Sequence, residues 1–163
     1  WADALHRALD GGMGLDRSAA LPDESHVPAI TETRIPLVVV GAHLTGLALN
    51  HQLQDLGATF LRATRTTPDY RLFALPGTVP AKPGLLREPG HAGPGLEVEV
   101  WGLDPESFGR FAAAIPAPLG IGKITLADGD CASGFLCEAH AVAGAPEITH
   151  YGGWRAYLAA IQA

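Results

Sequence analysis

Val40-Gly41-Ala42-His43-Leu44-Thr45-Gly46 places a single histidine directly after the apolar run Ile35 to Val40. An imidazole exchanges protons near neutral pH, and a tight turn at a strand end leaves backbone N–H groups free to meet an anion. Gly41 and Gly46 flank the histidine, and glycine lets a backbone come close to a ligand. The pattern predicts a proton-exchanging His43 beside an anion seat built from Gly41, Ala42, Leu44 and Thr45. A histidine packed into the core is the competing reading.

Other side chains join this candidate site by position. Asn50 follows the turn on a short helical stretch, where its amide can brace the turn or orient a substrate. Among the basic residues Arg62, Arg65, Arg71, Lys82, Arg87 and Arg155, two are expected to bind a carboxylate. Lys82 is held between prolines in Pro80-Ala81-Lys82-Pro83-Gly84, and Arg71 stands beside Tyr70 at a strand start. Tyr70 is a further substrate-orienting candidate. Glu97 and Glu99, two residues apart, read as the wet side of an edge strand.

Several chemistries lack their motifs. No GxSxG supports a serine nucleophile, and neither GxGxxG nor GxxxxGK[ST] supports nucleotide binding. Cys131 and Cys137 have no ligand spacing around them and read as two buried thiols rather than a zinc site or a disulfide. A formal net charge of −6 without a Lys/Arg cluster argues against nucleic acid and anionic membranes as partners. The sequence has no apolar stretch of about 18 residues and no signal-peptide pattern at its amino end, so a cytoplasmic location is expected.

The elements that must position these residues follow from periodicity. With 20 glycines, 13 prolines and 47% hydrophobic residues, 163 residues suit a mixed fold of short strands and few helices. Trp1, Leu5 and Leu9 predict a helix that ends at Gly11-Gly12, followed by a polar segment to about residue 33. Strand Ile35 to Gly41 and a helix from Leu47 to Leu56 come next. Strands Thr59 to Thr66 and Tyr70 to Leu75 are expected to form a hairpin around Thr67-Pro68-Asp69. Thr78 to Pro94 is too rich in proline for a central strand and reads as a long surface loop. A half-buried strand at Leu96 to Trp101, a helix from Pro105 to about Ile115, strands Ile121 to Leu126 and Gly134 to Ala141, and an amphipathic helix through Trp154 and Ile161 complete the pattern.

With those motifs placed, a resemblance emerges. The His43 heptapeptide, Leu49-Asn50 and Tyr70 to Gly77 resemble the gamma-glutamyl cyclotransferase-like fold, whose members carry YGTL or YGSL after a strand. Ile35 to Leu158 as a whole resembles the carboxy-terminal domain of allophanate hydrolase, through Pro80 to Leu85, Ile115 to Leu119, Gly134 to Glu138 and Gly152 to Leu158. This resemblance implies an α+β fold, a small mixed barrel or sheet of about six strands with short helices. It also implies a division into residues 1–14 as the end of an upstream amidase-domain helix, 15–33 as linker and 34–163 as the folded unit.

The implied activity is decarboxylation of N-carboxycarbamate, a small dicarboxylate made by the amidase domain of the same polypeptide, in allophanate and urea breakdown, and the resemblance implies no metal and no organic cofactor. A non-catalytic domain serving stability, oligomerisation (a homodimer, for instance) or product retention is the alternative. Cyclotransferases place a glutamate where this chain has Ala112-Ala113-Ala114-Ile115-Pro116, so their chemistry is not expected. His43 falls where they carry Thr or Ser.

Overall fold

The computed structural model describes residues 33–162. The expected amino-terminal helix and the linker up to residue 32 lie outside the described residues. Strand β1 (Ile35–Val39) is the centre of a five-stranded sheet ordered β2-β5-β1-β7-β6, with β2 at Thr59–Arg65, β5 at Glu97–Leu103, β6 at Leu119–Thr125 and β7 at Cys131–Cys137. It runs antiparallel to β5 and parallel to β7. Its apolar run has the composition of a strand covered on both faces, and Leu37, Val38 and Val39 are completely buried. Gly134 on β7 lies opposite Val38, and a Cβ there would press on the Val38 carbonyl oxygen at 2.8 Å, so glycine permits this close strand approach.

Strands β3 (Tyr70–Ala74) and β4 (Pro83–Arg87) form a separate antiparallel pair. This corrects two sequence expectations. β2 and β3 do not form a hairpin, because β2 pairs with β5 along its length, and the Asp69 carbonyl accepts the Glu88 N–H at 2.8 Å, directing the chain to β4. The proline-rich segment likewise contains a strand: Pro83 opens it, and a missing N–H is tolerated at a strand's first residue. Tyr70 ties the pair to the main sheet, its buried hydroxyl accepting the Thr125 N–H at 2.9 Å.

Among the described residues three α-helices accompany these sheets: α1 (Asn50–Asp55), α2 (Pro105–Ala113) and α3 (Trp154–Gln162). Helix α2 begins as its sequence predicts, with Asp104 accepting the Ser107 N–H at 2.9 Å, proline in the first turn and Glu106 behind it. The architecture is mixed α+β as expected, with seven described strands rather than six. Its main sheet ends in two edges, β2 and β6, so it does not close into a barrel.

Two further expectations change. β5 is buried at every position after Glu97, with β2 and β1 on either side of it in the sheet, so it is not a half-wet strand. Cys131 is exposed and Cys137 buried, at opposite ends of β7. Six strand steps separate them by about 20 Å, far beyond disulfide reach. Among the described residues no helix is long and apolar enough to cross a membrane.

Candidate functional site

The turn after β1 is fastened from three directions. Its own backbone closes it, with the Leu44 N–H donating to Gly41 at 3.0 Å and the Leu49 N–H to Ala42 at 2.8 Å. Buried Asn50 donates from its amide to the His43 carbonyl at 2.9 Å and is itself oriented by Gln54. Glu99, reaching over from β5, accepts both the Thr45 N–H and the Thr45 hydroxyl, each at 2.9 Å. The N–H groups of Ala42 and His43 meet no acceptor among the described residues. Gly41 fits because a Cβ there would collide with the ring of Pro83 at the start of β4.

The His43 ring is stacked on Phe135 at a centroid distance of 5.2 Å and an interplanar angle of 11°, with the edge of Phe111 against it at 5.2 Å. Its Nε2 lies 3.0 Å from Gln52 Oε1. An amide oxygen only accepts, so the neutral ring carries its proton on Nε2 and keeps a lone pair on Nδ1. Burial lowers the pKa of His43 below 6.5; the Gln52 hydrogen bond opposes that shift, and the charges of Lys82 and His51 add to it. At pH 7 the resting imidazole is neutral.

His43 faces a cavity of about 520 Å³. Gly41, Ala42 and Lys82 stand at its polar end, the last delivered by the loop before β4. Arg110 of α2 lines it as well, its guanidinium held by Glu106 at 2.7 Å. Ala114, Ile115 and Pro116 contribute apolar wall, and among the described residues no Asp or Glu lines the cavity. Among the described residues no cluster of three His, Cys, Asp or Glu side chains is placed to hold a metal ion.

The expected site residues divide on this geometry. His43, Gly41, Ala42 and Lys82 come together at the cavity. Leu44 is core, while Thr45 and Asn50 hold the turn from behind. Tyr70 and Arg71 do not join them, which corrects that part of the reading. The Tyr70 hydroxyl is committed to β6, and Arg71 is clamped between Glu88 and Glu147.

Gln52, Arg110, Phe111, Phe135 and Glu99 went unread as site residues. Glu99 is 5% exposed and also receives the Trp101 indole N–H at 3.1 Å and Arg155 of α3 at 2.8 Å. Burial works against its charge, but the hydrogen bonds from Thr45, Trp101 and Arg155 more than compensate and hold its pKa below 4.5. The signal for it was the unbroken run Val100-Trp101-Gly102-Leu103, which marks β5 as a covered strand rather than an edge.

The family model described as "Allophanate hydrolase C-terminal domain" matches residues 35–159. This chain belongs to that family. Urea amidolyase of Saccharomyces cerevisiae is 46% identical over 129 residues, covering 77% of this chain and 7% of the yeast polypeptide. The solved allophanate hydrolase of Kluyveromyces lactis superposes with a TM-score of 0.76 at 41% identity, covering 79% of this chain and 22% of that one. The allophanate hydrolase C-terminal domain thus makes up a small part of these long relatives. A solved uropathogenic E. coli-specific protein, with a TM-score of 0.71 at 38% identity over 78% of this chain, has 97% of its own chain covered. That solved chain consists almost wholly of the matched region.

Proposed function

We propose that this domain removes carbon dioxide from N-carboxycarbamate supplied by an amidase domain of the same polypeptide, within allophanate and urea breakdown. The observation that carries the reading is the cavity's polar end: His43 next to two backbone N–H groups that meet no acceptor among the described residues, Lys82, and no carboxylate among the described lining residues. One substrate carboxylate sits against the Ala42 and His43 N–H groups, and Lys82 balances the second.

The reaction breaks one N–C bond, and carbon dioxide leaves without the bonding pair. That pair stays on nitrogen and takes a proton, so the dianion plus one proton gives carbamate and carbon dioxide. His43 supplies the proton. The resting imidazole is neutral through burial and its cationic neighbours, and an arriving dianion offsets both influences and favours the imidazolium where the proton is needed. Positioned general-acid catalysis of this kind contributes on the order of 10²- to 10⁴-fold. The test is to generate N-carboxycarbamate enzymatically from allophanate and follow carbon dioxide release with and without the full chain.

A different surface favours the accessory reading. Edge strand β2 is exposed along most of its length, with Phe60 47% and Leu61 50% exposed, a surface suited to covering by the rest of a longer polypeptide or by a second copy. Release of carbon dioxide at the spontaneous rate, combined with loss of oligomeric state when the domain is removed, would favour it.

A further inference from the structure

The cavity is larger and more apolar than a small dianion needs. Its volume of about 520 Å³ falls within the range of roughly 300–1,000 Å³ typical of sites that enclose drug-sized ligands. N-carboxycarbamate, with no carbon chain of its own, occupies the polar end and leaves the rest to water. Apart from Gln52 and Arg110 the remaining described wall is apolar: Leu49 and Leu56 from the α1 side, Ile115 from the end of α2, Leu119 of β6, and Phe111 and Phe135, which also pack on the His43 ring. Apolar wall left wet is unfavourable, and a ligand that covers it gains affinity in proportion to the area covered.

The electrostatics select the sign of that ligand. Among the described lining residues there is no acid; the Lys82 ammonium stands in no ion pair there, Arg110 is shared with Glu106, and the uncharged His43 ring adds no negative charge. We propose that this cavity is also a binding site for monocarboxylates bearing an apolar body of about six to nine carbon atoms. The carboxylate sits by Ala42, His43 and Lys82, and the body lies against Phe111, Leu119 and Phe135. Such an acid competes with the small dianion for the polar end. The inference rests on the anion seat of the proposed function and is independent of the decarboxylation.

Calorimetric titration of the full chain with malonate, propanoate and 3-phenylpropanoate tests it. The phenyl-bearing acid binds at least about 10-fold more tightly than propanoate and is displaced competitively by malonate. Leu119→Gln, which makes the wall polar, lowers that preference at least about threefold. Phe111→Leu, which keeps the core filled, lowers it as well. Equal affinity for the two monocarboxylates, with malonate still bound, overturns this inference and leaves the anion seat standing. Failure of both malonate and 3-phenylpropanoate to bind overturns the inference and the anion seat together.

Discussion

Glu99 and Thr45 are joined twice, by the Thr45 N–H and by its hydroxyl, both on the same carboxylate oxygen at 2.9 Å. Through this pair strand β5 holds the turn that presents His43, and Arg155 extends the link to α3. Glu99→Gln keeps the shape but removes the charge that these donors share. Hydrogen bonds to a charged group contribute about 1.5–3 kcal/mol, so urea denaturation should show a loss of that order. Thr45→Val, which keeps the backbone N–H contact, should lose about 1 kcal/mol.

Acid should weaken the fold through the same carboxylate. The pKa of Glu99 is lowered on folding and that of Glu147, beside Arg71, is lowered to about 2. A carboxylate with a lowered folded pKa contributes stability that is fully present above its unfolded value, near 4.5, and disappears as pH falls through the folded one. His43, also lowered, adds a loss with the same sign below its unfolded value of 6.5. Chemical denaturation between about pH 5 and about pH 3 should show stability falling with pH, and falling less in Glu99→Gln.

Gln52 fixes the tautomer of His43 and raises its pKa against the effect of burial. Gln52→Leu removes that support, so the imidazole should titrate at lower pH than in the native chain. Gln52→Glu adds a neighbouring negative charge and should move it upward. Nuclear magnetic resonance titration of the His43 ring protons reads both directions, and identical titrations in all three chains would exclude the contact.

The pH dependence of turnover should divide between free and loaded protein. A proton donor must be charged, and the free His43 has a pKa below 6.5. kcat/KM should therefore fall as pH rises through a value below 6.5. With substrate bound, the dianion raises the pKa of His43, so kcat should persist to higher pH before it falls. Superimposable profiles would show that the substrate does not charge the imidazole.

How far the sequence could be read depended on how local each cause was. His43 and its glycines, the central strand β1 and the capped start of α2 follow from contiguous residues, and each stands where the pattern placed it. Pairing is different, since β2 meets β5 across more than thirty intervening residues and nothing in the Thr67-Pro68-Asp69 turn announces it. The same distance concealed Glu99. Two acids on alternate positions look like a wet face until α3 brings Arg155 and the turn brings Thr45 to one of them. Tyr70 and Arg71 misled for the converse reason: their neighbourhood in sequence suggested a site, while their partners Thr125, Glu88 and Glu147 come from distant segments.

The most direct test of His43 as the proton donor is the rate of carbon dioxide release from enzymatically generated N-carboxycarbamate. It is measured with the native chain, with His43→Ala and with no added domain. The native chain should exceed the spontaneous rate, and His43→Ala should lose about 10²-fold or more of the excess. A His43→Ala chain that clears the intermediate as fast as the native one would contradict the account.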